Sequence, residues 1–248
     1  MDHIIITGAS RGLGKALAES CNEKNTVLHL ISRNIDIGTL FPSGAIAEVY
    51  TYQVDLSDTD YDVLMKDILS KIKNPSFLGF INNAGVLDPI GPLGKVDAAA
   101  LARIITVNCT APLLMINAFM RMCEHLTCER RIINITSGAA KRPYYGWSGY
   151  CASKAALNMI SQVASTEQRN QFGENGVKVM AIAPGILDTD MQRSIRKQPQ
   201  ETFAEVGKFI EYYKANALQS PEVVAKKIKD TLFGAFFPDG DVLDVKDL

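Results

Sequence analysis

The run Thr7-Gly8-Ala9-Ser10-Arg11-Gly12-Leu13-Gly14 follows the apolar segment Ile4 to Thr7 and opens the helical pattern Leu13 to Asn22. No other feature limits the fold so strongly. Glycines in a strand-to-helix turn let the backbone reverse tightly and approach a ligand. The first amide groups of the helix then face outward with a partial positive charge, which suits a pyrophosphate. This placement is what separates a dinucleotide site from an ordinary tight turn.

The rest of the chain repeats the same alternation. Short β-branched runs at Val27 to Ser32, Val49 to Val54, Phe77 to Asn82, Arg131 to Thr136 and Val177 to Ala183 read as strands. Their continuous apolarity fits a parallel sheet covered on both faces. Between them, Tyr61 to Ile72, Leu101 to Met122 and Ser148 to Asn170 carry helical spacing, while Asn34 to Glu48 reads as a loop with at most a short helix. The expected class is therefore α/β, a doubly wound Rossmann fold with helices on both faces. After Ala183, Pro184-Gly185 makes a turn and Asp188 to Gln200 is polar. A helix is expected from Glu201 to Ala215, another near Pro221, and a last strand over Asp241 to Val245. The polar insertion and its helix, about 186–216, are expected to form a substrate lid. No low-complexity stretch or repeat divides the chain, so 1–248 reads as one domain.

Composition narrows the partners. The 26 basic and 27 acidic side chains leave a net charge of −1, so nothing in the charge favours nucleic acid or an anionic membrane surface. The start Met1-Asp2-His3-Ile4 has no basic region or long apolar stretch, which reads as untargeted and cytoplasmic. Cys21, Cys109, Cys123, Cys128 and Cys151 form no CxxC pair and the chain has three histidines, so reduced thiols and no metal site are expected.

The end of the second strand distinguishes the two nicotinamide cofactors, because an acidic residue there binds a ribose hydroxyl and an arginine accommodates a phosphate. Here Ser32-Arg33-Asn34 has no carboxylate until Asp36, and Arg33 and Arg11 both suit a 2′-phosphate, which favours NADP(H). Asp55, ending the third strand, suits the adenine amino group, and Asn82-Asn83-Ala84-Gly85 ends the fourth. All of these fall at carboxyl ends of strands, where this architecture binds ligands.

Tyr150 and Lys154 stand four residues apart on one helix face. A lysine charge beside a phenol favours the phenolate and brings proton transfer nearer neutral pH. Ser137 lies just past the strand Ile132 to Thr136, and Asn108 interrupts the apolar face of the preceding long helix. With the glycine turn, Asn82-Asn83-Ala84-Gly85, and Pro184-Gly185 to Thr189, these residues resemble the ordered motifs of the short-chain dehydrogenase/reductase family over almost the whole chain. The resemblance implies that Tyr150 protonates a carbonyl oxygen as hydride arrives from a nicotinamide and that Ser137 hydrogen-bonds that oxygen. It implies too that Lys154 lowers the tyrosine pKa and binds the nicotinamide ribose. Asn108 would hold a relay water, and Thr189 with the backbone of Pro184, Gly185 and Ile186 would fix the carboxamide.

Tyr144, Tyr145 and Trp147, the segment Val86 to Pro92, and Met191 supply apolar material around this centre, which suits a flat aromatic carbonyl compound. Ser137, Tyr145, Trp147, Tyr150 and Met191 are the expected substrate contacts. Within the family, Ser32-Arg33-Asn34, Pro143 to Trp147 and the tail at Asp244-Val245 are similar to the sepiapterin reductases and bacterial benzil reductases. A benzil-type diketone is the implied substrate, with a pteridine ketone, anchored by Asp244 or Asp247, as the alternative. A serine hydrolase is disfavoured because Ser137 lacks GxSxG surroundings and a histidine base. A non-catalytic NADP-binding regulator is the other rival, and retention of both Tyr150 and Lys154 argues against it. Apolar residues on several sides of the two long helices fit a homodimer or homotetramer.

Overall fold

The computed structural model describes residues 1–248. Seven strands form one parallel sheet: β1 (Asp2–Thr7), β2 (Thr26–Ser32), β3 (Glu48–Gln53), β4 (Phe77–Asn82), β5 (Glu129–Ile135), β6 (Lys178–Ala183) and β7 (Val242–Asp244). Their spatial order is β3-β2-β1-β4-β5-β6-β7. The chain therefore runs outward from β1 in both directions, and the reversal between β1 and β4 opens a crevice at their carboxyl ends. The apolar runs are continuous because both faces are covered: Ile4, Ile5 and Ile6 are all fully buried, Ile4 and Ile6 in one layer and Ile5 in the other.

On the Ile4 side lie α1 (Gly12–Ser20) and α9 (Pro221–Phe233). On the other lie α3 (Tyr61–Ser70), α4 (Ala98–Ile105), α5 (Ala111–Cys123) and α6 (Ser148–Phe172). A short α2 (Ile37–Leu40) interrupts the loop after β2. Side-chain caps set several helix starts: Asp60 accepts from Asp62 N and Val63 N, Asp97 from Ala100 N, and Ser220 from Val223 N ahead of Pro221. Cys21 and Cys123 are buried with thiols pushed up to about 12 by desolvation, and none of the five cysteines is paired.

Two elements differ from the sequence expectation. Leu101 to Met122 read as one regular helix, whereas α4 and α5 are joined by a π-helical turn over Thr106–Thr110, in which Ala111 N reaches back to Thr106 O. The stretch Ala98–Cys123 has the length and apolarity of a membrane span, but Ile104, Val107, Met115, Ile116 and Phe119 are buried in the protein's own core. After β6, the polar stretch contains α7 (Asp190–Ile195), and the next helix, α8 (Val206–Lys214), begins five residues later than Glu201. The cause is a turn in which Thr202 N and Phe203 N both donate to Pro199 O. That turn drives Phe203 inward until it is fully buried.

Candidate active site

A cleft of about 640 Å³ runs along the carboxyl ends of β1 to β4 toward Tyr150 and Lys154. Its floor is the glycine turn. Gly8 sits at φ +69°, and a Cβ there would lie 2.9 Å from Ala84 Cα. A Cβ on Gly14 would lie 2.0 Å from the Gly8 carbonyl oxygen, so the first turn of α1 and the end of β1 touch through main chain. Thr7 Oγ1 accepts from both Asn83 N and Ala84 N at 3.0 Å, and Asn83 Nδ2 donates to Thr7 O at 2.9 Å. These bonds lace the loop after β4 to the glycine turn. Ser10 pairs with Ser32 through their hydroxyls at 2.9 Å. The cradle is lined by main chain and short side chains that a Cβ would fill, which fits a dinucleotide pyrophosphate.

Of the residues expected to hold a cofactor, Gly8, Ser10, Arg11, Gly12, Leu13 and Gly14 line the cleft on the α1 side. Arg33, Asp55, Asn83, Ala84 and Gly85 line it along the next strand ends, and Pro184 and Thr189 along the far wall. Gly185 and Ile186 stand outside this lining. Gly185, at φ +78°, turns the chain against Gln219, and Ile186 O accepts from Gln219 N. Asp36, the first carboxylate after β2, is engaged as the cap of α2, accepting from Gly38 N and Thr39 N.

At the inner end, Lys154 is buried and its Nζ donates to Ile135 O at 2.8 Å. Burial lowers its pKa to about 8. Tyr150 is buried; burial raises the pKa of its phenol, and the neighbouring Ser137 hydroxyl opposes that shift. The expectation of a phenol pulled down by Lys154 is therefore not what this structure displays, because desolvation outweighs the hydrogen bond. A raised phenol keeps its proton at neutral pH, as a proton donor requires. Ser137 follows β5 in extended conformation and its Oγ accepts from Ala139 N at 3.2 Å.

Asn108 occupies the π-helical turn, fully buried. Its Oδ1 accepts from Val86 N at 2.8 Å, and its Nδ2 donates to Val86 O at 2.8 Å and Ser153 Oγ at 3.2 Å. Ser153 Oγ in turn donates to Tyr150 O at 2.9 Å. The amide of Asn108 is thus spent on holding the Gly85-Val86 loop and the start of α6 together. A Cβ on Gly85 would lie 3.4 Å from Asn108 Oδ1 and 3.5 Å from Lys154 Nζ, so that loop sits against both.

The expected substrate contacts divide. Tyr150 and Met191 line the cleft, and Ser137 adjoins Thr136, which does. Tyr145 is half exposed and outside the lining. Trp147 is also outside it, 4% exposed within an aromatic cluster. It stacks on Phe203 at 4.5 Å and 14°, meets Tyr144 at 5.0 Å, and presents an edge to Tyr150 at 5.5 Å and 71°. Trp147 backs Tyr150 and is itself covered by Phe203 and Phe209. Sequence reading missed Thr7, Ser153, Arg103 and Phe203. Thr7 was within the glycine run, but nothing local marks a fully buried Phe203 in a polar stretch. Asp244, a candidate anchor, is paired with Lys141 at 3.1 Å.

The glycine cradle, the parallel sheet and the Ser137, Tyr150 and Lys154 grouping define a class, and the comparisons agree. A family model described as short chain dehydrogenase matches residues 2–200, and the chain belongs to that family. It is an oxidoreductase acting on carbonyl or hydroxyl groups. It is 37% identical to a benzil reductase ((S)-benzoin forming) of Bacillus cereus, over 99% of each chain. It is also 32% identical to the sepiapterin reductase of Bos taurus, over 78% of this chain and 75% of that one. A short chain dehydrogenase/reductase structure from Saccharomyces cerevisiae superposes with a TM-score of 0.87 at 23% identity, over 100% of this chain and 97% of that one. A structure of ElxO with NADP bound superposes with a TM-score of 0.80 at 23% identity, over 98% of this chain and 96% of that one.

Proposed function

We propose that the protein is an NADPH-dependent carbonyl reductase whose substrate is an aromatic or vicinal diketone of the benzil type. The observation that carries the reading is the placement of buried Tyr150 and Lys154 in the lining at the inner end of the glycine-floored cleft, with the Ser137 hydroxyl beside the phenol. The cofactor, held by the cleft residues named above, would supply a hydride when bound, and Gly185 and Ile186, outside the lining, would act through the turn that carries Pro184. Tyr150 donates its proton to the carbonyl oxygen, which becomes the alcohol oxygen. Ser137 donates a hydrogen bond to the same oxygen as charge develops there. Lys154 would bind the nicotinamide ribose from its place against the Gly85 loop. Asn108 fixes the helix and loop that carry these groups, and its turn is the place for a relay water.

Two observations favour NADP(H) over NAD(H). Arg11 and Arg33 are exposed and line the cleft beside the end of β2, and the first carboxylate after that strand, Asp36, is committed to a helix cap. The benzil reductase relative, aligned along the full chain, and the apolar Val86, Leu87, Leu187 and Met191 in the cleft support the diketone. The sepiapterin reductase relative supports a pteridine side-chain ketone as the second substrate class. Residues 1–248 act as one catalytic domain with 186–216 as the substrate lid. Ile105, Leu113 and Leu114 on α4 and α5, with Met159 and Val163 on α6, are exposed, which suits a subunit contact in a homodimer or homotetramer.

The test follows NADPH and NADH oxidation with benzil and with sepiapterin as acceptors, in wild type and Tyr150→Phe. Turnover is expected with NADPH, better with benzil, and kcat should fall about 10²–10⁴-fold in the variant with dinucleotide affinity retained. Binding of NADPH without turnover of either acceptor would remove the substrate assignment.

A further inference from the structure

We infer that Arg103 belongs to the base-reading end of the dinucleotide site, where it and Asp55 together recognise the edge of an adenine ring. The inference rests on the proposed use of a nicotinamide dinucleotide and extends it to a residue outside the cofactor motifs. Arg103 projects from the last turn of α4 and lines the cleft. Its Nη2 donates to Asp55 Oδ2 at 3.2 Å.

The other oxygen of Asp55 is already taken. Oδ1 accepts from Ser57 N at 2.9 Å and from Ser57 Oγ at 2.7 Å, which fixes one side of the carboxylate to the loop after β3. Those two bonds first, and the Arg103 charge after them, hold the Asp55 carboxyl below its usual range, so it is an ionised acceptor at neutral pH. Oδ2 retains an acceptor direction beyond Arg103, and Arg103 retains Nε and Nη1 donors that no protein group accepts. Both side chains are about two-fifths exposed, at 39% and 40%. An ion pair that open to water contributes little to folding, so stability is a weak reason for this arrangement.

What the pair offers is an acceptor beside a set of donors, on a wall completed by the apolar Val54, Leu56 and Val107. Adenine carries the complement on one edge: an amino donor at C6 flanked by ring nitrogens that accept. A 6-oxo purine carries hydrogen on N1, so a donor meets the arginine donors where adenine offers them an acceptor, and its C6 oxygen faces the carboxylate. Arginine suits this place better than lysine because its planar fork can hold a carboxylate oxygen and still present donors in the same plane.

Calorimetric titration with NADP⁺ and with its hypoxanthine counterpart, in wild type, Arg103→Leu and Arg103→Lys, tests the assignment without needing a substrate. Wild type should bind the adenine cofactor about tenfold more tightly than the 6-oxo form, as one well-placed charge-assisted hydrogen bond allows. Arg103→Leu should weaken the adenine cofactor several-fold more than the 6-oxo form, narrowing the gap between the two affinities to the part that Asp55 retains. Arg103→Lys should recover part of the affinity and little of the discrimination. A purely structural loss would weaken both cofactors in parallel, so an unchanged ratio in Arg103→Leu overturns the inference, as does a wild type that does not discriminate. If NAD⁺ binds and NADP⁺ does not, the cofactor choice fails. The same ratio taken with NAD⁺ and its 6-oxo counterpart then still decides the role of Arg103. Binding of neither dinucleotide overturns both.

Discussion

At one end of the cleft the ligand surface is main chain and short side chains, laced by bonds of 2.9 to 3.0 Å from Asn83 and Ala84 to Thr7. At the other it backs onto a stack of rings from Tyr144, Trp147, Phe203 and Phe209. Hydrogen bonds are directional and fix positions to fractions of an ångström. Ring stacking is looser, and its members can be exchanged for others of similar volume. The first kind of construction suits a surface that must hold its shape against a ligand, and the second suits packing that supports a neighbouring residue from behind. Tyr150 stands where the two meet: its hydroxyl faces the cleft and its ring takes the edge of Trp147.

If the two ends are separable, damage to one should leave the other's ligand undisturbed. The largest effect is expected from Gly14→Ala, because the added methyl would sit 2.0 Å from the Gly8 carbonyl oxygen and 2.5 Å from Asn83 Nδ2. Dinucleotide affinity should fall about 100-fold or more, measured by titration, while circular dichroism reports a retained fold and the near-ultraviolet signal of the Trp147 cluster persists. Loss of that aromatic signal would show that the two ends are one cooperative unit.

The converse change is Phe203→Ala. Phe203 is fully buried against Trp147, so its removal should cost about 3–5 kcal/mol locally, read as a lower melting temperature. The kcat/KM for an aromatic ketone should drop while dinucleotide affinity holds. Equal losses in both would merge the two regions.

A smaller effect sharpens the contrast through pH. His29 Nε2 meets His3 Nδ1 at 3.1 Å, and its Nδ1 meets Tyr52 Oη at 3.1 Å, across β1, β2 and β3. Burial first, then the charges of His3 and Lys71, push His29 down to about 3, with Asp67 opposing. A depressed histidine favours the folded state above its ordinary pKa of about 6.5, and that contribution is lost as pH falls from there toward 3. Acid should therefore weaken the dinucleotide half of the sheet by up to a few kcal/mol. In a pH series of chemical denaturation, a flat stability between pH 6 and pH 4 in wild type, or an unchanged slope in His29→Phe, would contradict this.

The same division explains what the sequence disclosed. The strands fall within two residues of their expected limits because two-sided burial forces an unbroken apolar run, and glycines declare a main-chain ligand site by their own chemistry. Tyr150 and Lys154, the expected catalytic pair, stood out less by their four-residue spacing than by their context, with Ser137 just past a strand and Asn108 in the preceding helix. The ring cluster did not, because Trp147 and Phe203 come from segments far apart in the chain. An aromatic residue beside a catalytic one reads equally as wall or as core until burial separates the two. The π-helical turn had one mark, an asparagine in an apolar face, and its extra residue leaves no other trace. In the segment after β6, α7 was hidden because only Gln192 and Ile195 on it are buried, too few for an apolar period.

The hydroxyl of Thr7 has a consequence for anyone who would re-engineer such a chain. Two amide groups of a loop that starts 76 residues later rest on that one oxygen. The glycine turn and the loop after β4 are therefore a single transplantable part in two pieces. Grafting either alone onto a related scaffold leaves amides without an acceptor, whereas moving both with the threonine carries the joint along.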